Sequence, residues 1–409
     1  MGKDTLQTGG RIFEVDKPVE KKKERALLIG VASSSRDRWV EGDRLEELAQ
    51  LAETAGADVF EKILQIREEI DPAYYVGKGK ARELAELVKA FDIDLLIFDA
   101  ELSPSQVRNL EAITGVKVID RTELIMDIFA QHARTSEAKI QVELAQLLYR
   151  LPRLTGKGLE LSRLGGGIGT RGPGEKKLEV DRRRIKDRIN FLKKKLMDIE
   201  RTKDLQRKRR RKILKVSLVG YTNTGKSSLM NLLTSAHVKV EDQLFATLDA
   251  TTRVLHIPDF PIRTVLSDTV GFIEDLPPGL IASFRATLGV AKEADLLLHV
   301  IDISHHRLEE RIKIVDKVLE EIGCSGKRMI RVFNKIDLLL DRSIIERLRD
   351  EYPESVYVSA KTGEGIEELR KKIKKVLEEI APGLQKLGAN LLRASSSFRH
   401  TMRGKISRS

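Results

Sequence analysis

The 409-residue sequence predicts an α/β fold divided among several domains, and three observations carry that prediction. Short apolar runs alternate with amphipathic stretches over residues 1–137 and again over 213–378, the pattern of strands joined by crossover helices. Between them, over 138–212, apolar residues recur at heptad spacing on both sides of a glycine-rich loop, which reads as an antiparallel helical hairpin. At the start of the third region a Gly-x-x-x-x-Gly-Lys-Ser loop stands between a strand pattern and a helix pattern. A basic tail, 379–409, completes the division.

In the N-terminal region Ala26–Ala32, Leu95–Phe98 and Val116–Ile119 read as strands, and 42–55, 79–91 and 104–114 as helices. A small parallel sheet is expected. The stretch Tyr74-Tyr-Val-Gly-Lys-Gly-Lys80 lacks the spacing of a phosphate loop. It reads as a turn opening a helix, with an accessory phosphate or RNA contact as the alternative.

The hairpin rests on two seams. Ile140, Leu144, Leu147, Leu151 and Leu154 form one; Leu178, Ile185, Ile189, Leu192, Leu196 and Ile199 form the other. Pro152 is expected to kink or stop the first helix. The loop Gly165-Gly-Gly-Ile-Gly-Thr-Arg-Gly-Pro-Gly174 permits close backbone approach, and Arg163 and Arg171 are candidate grips for RNA phosphates within the loop region 163–174. Charge sharpens the reading. Residues 176–212 hold 18 Lys/Arg and 6 Asp/Glu, and the tail 381–409 holds six Lys/Arg and no acid. The chain's net charge is +12, so everything outside those two segments is mildly acidic. Such segregation is the electrostatic footprint of a nucleic-acid partner, with Arg182, Arg183 and Arg184 as candidate RNA contacts; a solvated helix face is the bland alternative.

Four motifs define the third region. Gly220-Tyr221-Thr222-Asn223-Thr224-Gly225-Lys226-Ser227, followed by Ser228, fits a phosphate loop whose backbone N–H groups and helix N-terminus face phosphates. Lys226 is predicted to reach the β- and γ-phosphates and Ser227 to ligate Mg²⁺. Asp268-Thr269-Val270-Gly271 follows a strand pattern at 262–267, which delivers Asp268 toward the Mg²⁺ water shell and lets the Gly271 N–H sense the γ-phosphate. Asn334-Lys335-Ile-Asp337 follows the strand pattern 329–333, and Ser359-Ala360-Lys361 follows 356–358. A carboxylate at Asp337 accepts from N1–H and the 2-amino group of guanine, and Ser359-Ala360-Lys361 adds a backbone N–H to O6. Adenine offers neither donor, so a buried carboxylate would be left unpaired, a loss on the order of several kcal/mol. The prediction is GTP over ATP.

The stretch Gln243-Leu-Phe-Ala-Thr-Leu-Asp-Ala-Thr-Thr-Arg253 is expected to supply a threonine to the Mg²⁺ shell, and Thr247, Thr251 and Thr252 compete for that place. Many GTPases carry a water-orienting glutamine directly after Asp-x-x-Gly; here the residue is Phe272. Slow hydrolysis by the isolated protein follows, with the missing element supplied by a partner. Asn223 resembles the asparagine of potassium-dependent GTPases, which makes K⁺ a candidate cofactor. Arg285 is a possible finger in cis. His305 and His306 lie near Asp302 but lack further ligands at fixed spacing.

A single cysteine, Cys324, excludes an intrachain disulfide and suits a reducing compartment. No apolar run approaches 18 residues, so neither a membrane span nor a signal peptide is expected. A monomeric cytoplasmic protein, in part at a membrane surface, is the expectation.

With these residues in view, the chain resembles the HflX family of bacterial ribosome-associated GTPases from roughly residue 12 to 380. The glycine loop ending in Glu175 before a basic helix, the phosphate loop, Leu244-Phe245-Ala246-Thr247-Leu248-Asp249 and Asp268-Thr-Val-Gly-Phe272 carry the resemblance. It implies an N-terminal α/β domain, a helical hairpin and a Ras-like P-loop GTPase domain. It implies further that Thr247 is the Mg²⁺-ligating threonine, that Lys226, Thr247 and Gly271 form the catalytic set, and that Phe245, Ala246, Leu248 and Asp249 flank the nucleotide. The implied partner is the large (50S) ribosomal subunit and its 23S rRNA, with the glycine loop entering the peptidyl-transferase region. The implied outcome is separation of stalled or idle ribosomes into subunits under stress. An RNA-remodelling factor acting on free rRNA and a signalling GTPase with a protein partner are the alternatives. Thr224, Ala250 and Lys176 depart from the family's common alanine, proline and threonine, and the tail 381–409 lies outside the resemblance.

Overall fold

A computed structural model describes residues 23–154, 173–208, 213–234, 244–245, 251–274 and 285–382, with backbone alone for 173–178, 203–208 and 285–288. The glycine loop up to Gly172, Ala246–Ala250 and the tail lie outside the described residues.

The N-terminal region holds β1 (Arg25–Ala32), α1 (Arg38–Ala55), β2 (Asp58–Ile66), α2 (Lys78–Phe91), β3 (Leu95–Phe98), α3 (Pro104–Thr114), β4 (Lys117–Asp120) and α4 (Arg121–His132). Its strands form one sheet in the order β2-β1-β3-β4, parallel throughout. Leu27 and Ile29 of β1 pack toward α2 and α3, while Ala26 and Leu28 pack toward α1 and α4. A parallel sheet covered on both faces requires such unbroken apolar strands. Edge strand β2 was not anticipated: Phe60, Ile63 and Leu64 recur at helical spacing, and Glu61 and Lys62 are exposed on the uncovered edge. The Tyr74–Lys80 stretch is a turn opening α2, with Gly77 at φ +85° as the N-cap.

Helix α5 (Ser136–Arg153) and helix α6 (Pro173–Lys208) form the hairpin. Ile140, Leu144, Ile189 and Leu192 are its buried seam, flanked by Leu147, Leu151, Ile185, Leu196 and Ile199. Helix α5 ends one residue after Pro152, and Pro173 opens α6 at the position where a missing N–H costs nothing.

The third region holds β5 (Leu214–Val219), α7 (Lys226–Thr234), β6 (Thr251–Leu255), β7 (Thr264–Asp268), α8 (Arg285–Glu293), β8 (Leu296–Asp302), α9 (Leu308–Glu321), β9 (Met329–Asn334), α10 (Ser343–Glu351), β10 (Val356–Tyr357) and α11 (Ile366–Ile380). The six-stranded sheet runs β10-β9-β8-β5-β7-β6, antiparallel only at β6–β7. One buried cluster is shared between the two sheets: Leu28, Ile125 and Phe129 from the first region join Val219, Tyr221, Leu244, Phe245, Phe272 and Ile273 from the third. Among the described residues no helix is long and apolar enough to cross a membrane.

Candidate functional site

The four motifs converge at the C-terminal ends of β5, β7, β9 and β10, where an open α/β sheet places its ligand. The phosphate loop turns between β5 and α7 on two glycines. A Cβ on Gly220 (φ +153°) would stand 2.2 Å from the Val300 carbonyl oxygen, and one on Gly225 (φ +88°) 2.3 Å from Asn334 Nδ2. Neither position admits a side chain.

Lys226 is buried, and its Nζ donates to the carbonyls of Tyr221 (2.6 Å) and Gly220 (3.2 Å). Burial pushes its pKa down to about 8, opposed by the nearby Asp268 carboxylate. The Ser227 hydroxyl donates to Asp268 Oδ2 at 2.6 Å, so two hard oxygen donors meet where a divalent cation would sit. Thr269 anchors this segment through its hydroxyl to the Leu218 carbonyl at 2.7 Å. Thr222 Oγ1 is buried with no hydrogen-bond partner among the described residues. Asn223 is exposed at φ +56°, and Ser228 is half-buried.

Gly271 lies against the phosphate loop: a Cβ there would be 2.8 Å from Thr222 Cα and 3.0 Å from Lys226 Nζ. Phe272 continues the contact as a bridge. The Thr222 N–H donates to the Phe272 carbonyl at 2.8 Å, and the Phe272 N–H to the Gly220 carbonyl at 3.1 Å. Phe272 is 1% exposed and joins the shared cluster with Val270.

On the base side Asn334 is a strut between loops. Its Nδ2 donates to the Thr224 carbonyl at 2.8 Å, and its Oδ1 accepts the Ala360 N–H at 2.8 Å. Asp337 Oδ1 accepts the Ser359 hydroxyl at 2.6 Å, which holds its carboxylate beside the Ser359-Ala360-Lys361 turn. Lys335, at φ +67°, pairs with Asp302 at 2.7 Å, and Lys361 is exposed.

Of the three candidate threonines, Thr252 is engaged across the ladder with Ser267 at 2.8 Å, and Thr251 stands in register with Asp268. Thr247, with Ala246, Leu248 and Asp249, lies outside the described residues, whereas Phe245 is buried at φ +57°. Arg182, Arg183 and Arg184 are exposed on α6; Arg163 and Arg171 lie outside the described residues. Arg285 opens α8. The His305 and His306 rings stack at 4.7 Å, and His306 bonds Asp43 of α1 at 2.6 Å.

Sequence reasoning missed what surrounds Tyr221. Its hydroxyl donates to Glu47 of α1 at 2.8 Å and accepts the Glu274 N–H at 2.8 Å, and Arg311 lies over its ring at 4.2 Å. The one local signal is a large phenol inside a phosphate loop; nothing points from it to a residue 174 positions away.

Comparison with known proteins agrees with this geometry. The families described as GTP-binding GTPase N-terminal, GTP-binding GTPase Middle Region and 50S ribosome-binding GTPase match residues 42–130, 132–210 and 215–335. The chain is 50% identical over 357 residues to GTPase HflX of Caldanaerobacter subterraneus subsp. tengcongensis, covering 87% of this chain and 81% of that one. It is 47% identical over 349 residues to GTPase HflX of Escherichia coli K12, covering 85% and 81%. The crystal structure of an SsGBP–GDP complex superposes with a TM-score of 0.51 at 28% identity, covering 88% of this chain and 99% of that one. Identity near one half over more than four-fifths of the chain, with three consecutive matches to GTP-binding GTPase families, settles the relationship: the chain belongs to the HflX family of GTPases.

Proposed function

We propose that the site binds GTP with Mg²⁺, and that the GTP-bound protein docks through α6 on the large ribosomal subunit and separates ribosomes into subunits. Asn334 carries the nucleotide part: one side chain fixes both the phosphate loop and the base loop, setting the distance between them. Asp337 and the Ser359–Lys361 turn read guanine. The N–H groups of Gly220–Ser227 and the N-terminus of α7 cradle the phosphates, and Lys226 exchanges its two carbonyl partners for β- and γ-oxygens. Ser227 and Thr247 would hold Mg²⁺ with Asp268 beside them, and the ion would supply positive charge to the phosphates. Asn223 would present its amide to K⁺.

Lys226 and the Gly271 N–H stabilise charge on the transferred phosphoryl group as water attacks. No side chain of this segment orients that water, because Phe272 is turned into the core. Slow hydrolysis alone and acceleration by the ribosome follow. The exposed arginines of α6 support an RNA partner, for which 23S rRNA is our candidate. The likeness to a family described as 50S ribosome-binding supports the same partner.

The test is GTP turnover by the pure protein alone and with large subunits, small subunits or total tRNA. Strong acceleration by the large subunit alone is expected. Equal rates in all four would sink the ribosomal reading, and acceleration by free RNA would favour a remodelling factor. Equal turnover in K⁺ and Na⁺ would remove potassium from the scheme.

A further inference from the structure

A buried ionic cluster lies between the two sheets, and hydrolysis itself makes no use of it. Arg121, the first residue of α4, is 3% exposed. It pairs with Asp99 at the end of β3 at 2.6 Å and with Glu47 of α1, and its Nη2 reaches the Glu274 carbonyl at 3.4 Å. Glu47 in turn takes the Tyr221 hydroxyl, and Tyr221 takes the Glu274 N–H. Arg307 pairs with the Glu274 carboxylate at 3.2 Å. Glu274 closes the Asp268–Phe272 segment and is thus held at its N–H, its carbonyl and its side chain.

The same helix also contacts the segment at Leu244–Phe245. The Phe129 ring meets Phe245 edge-on at 4.6 Å, within the cluster that also buries Ile125, Phe272 and Ile273. Helix α4 therefore touches both segments that the proposed function sets beside the γ-phosphate and its Mg²⁺.

Its N-cap faces the other way. Asp120 is fully buried; Oδ1 accepts the Glu123 N–H at 2.9 Å, and Oδ2 accepts the Leu102 N–H at 3.1 Å and the Tyr149 hydroxyl at 2.6 Å. Arg153 reaches the same oxygen at 3.3 Å and the Leu102 carbonyl at 2.9 Å, with its guanidinium 3.4 Å from the Tyr149 ring centre. Tyr149 and Arg153 form the last turn of α5, at the end of the hairpin that enters the glycine loop.

We propose that the adjoining pair Asp120–Arg121 is a coupling joint: Arg121 follows the switch segment through Glu274, and Asp120 carries that movement to the loop end of the hairpin through Tyr149 and Arg153. This rests on the GTPase activity and not on the ribosomal reading. Buried charges cannot slip past one another without leaving a group unpaired, so the joint moves as a unit or breaks. Coupling is reciprocal: a change on the hairpin side must alter discrimination between GTP and GDP.

Hydrogen exchange of residues 147–154 is measured in the full chain with GDP and with a non-hydrolysable GTP analogue. A difference of about five-fold or more between the nucleotides is expected in the parent protein, the lower end of ordinary allosteric coupling. Tyr149→Phe and Tyr221→Phe each remove one hydroxyl at nearly constant volume, and the difference should vanish in both. Arg188→Ala breaks the hairpin's surface pair with Glu143 and should keep it. In Tyr149→Phe the ratio of GTP-analogue to GDP affinity should also shift, although that residue touches no part of the nucleotide site. Equal exchange with both nucleotides in the parent overturns the proposal. So does a difference that survives both phenylalanine variants, or an unchanged affinity ratio in Tyr149→Phe.

Discussion

Lys226 is expected to set a pH limit on nucleotide binding. Its ammonium is buried against two carbonyls, and burial lowers its pKa from 10.5 to about 8. Phosphates need the charged form, so binding takes up a proton once the pH exceeds about 8. Affinity for GDP should be flat below that value and fall by up to about ten-fold per pH unit above it. The stability effect has the opposite sense. The unfolded chain holds this proton up to about 10.5 and the folded chain only to about 8, so raising the pH through that window favours folding at this site. Titration calorimetry at pH 9 in two buffers of different ionisation enthalpy should report proton uptake. A GDP affinity unchanged from pH 7 to 9.5 would show that the ammonium is not the group that meets the phosphates.

At the scale of elements, α6 separates charge from packing. Ile189 and Leu192 face α5 in the hairpin seam, while Arg182, Arg183 and Arg184 stand in solvent. Reversing the three arginines to glutamate should leave the hairpin folded and GDP affinity intact. Large-subunit affinity should fall at least ten-fold, and the slope of log affinity against log salt should flatten by about three if each arginine meets one phosphate. An unchanged slope would move the RNA contact elsewhere. The same helix was legible in the sequence because a heptad seam is a local signal, as were β1, β3, β5 and β9, whose apolar runs are buried on both faces. Strand β2 was hidden by its edge position. Helix α4 was hidden for the converse reason: Leu124, Ile125, Met126, Ile128 and Phe129 are all buried, and Glu123, Asp127 and Gln131 leave only a narrow polar stripe to mark the helical period. The nucleotide motifs were readable because each is a short run of fixed geometry. The Glu47–Tyr221–Arg121 cluster was not, since it joins residues that only the tertiary fold brings together.

At the scale of the whole molecule, the two sheets share a core. Phe129 and Ile125 of the N-terminal region lie in one buried cluster with Tyr221, Phe245, Phe272 and Ile273 beside the nucleotide site. Units that merely touch through a polar surface unfold separately, whereas units that share buried rings lose those contacts together. The full chain should therefore show one main calorimetric transition for both sheets. Phe129→Ala removes a ring that is 1% exposed and should cost about 3–5 kcal/mol, since the cavity is walled by two sheets and collapses poorly. Because the ring belongs to both, that cost should lower the midpoint of the whole transition, and saturating GDP should recover part of it by binding only the folded site. Two resolved transitions, with only one moved by Phe129→Ala and the other alone raised by GDP, would mean that each sheet folds on its own core. The joint at Asp120–Arg121 would then be a contact between independent bodies. One transition moved by both perturbations would show that the nucleotide site is built on the N-terminal region as much as on its own sheet.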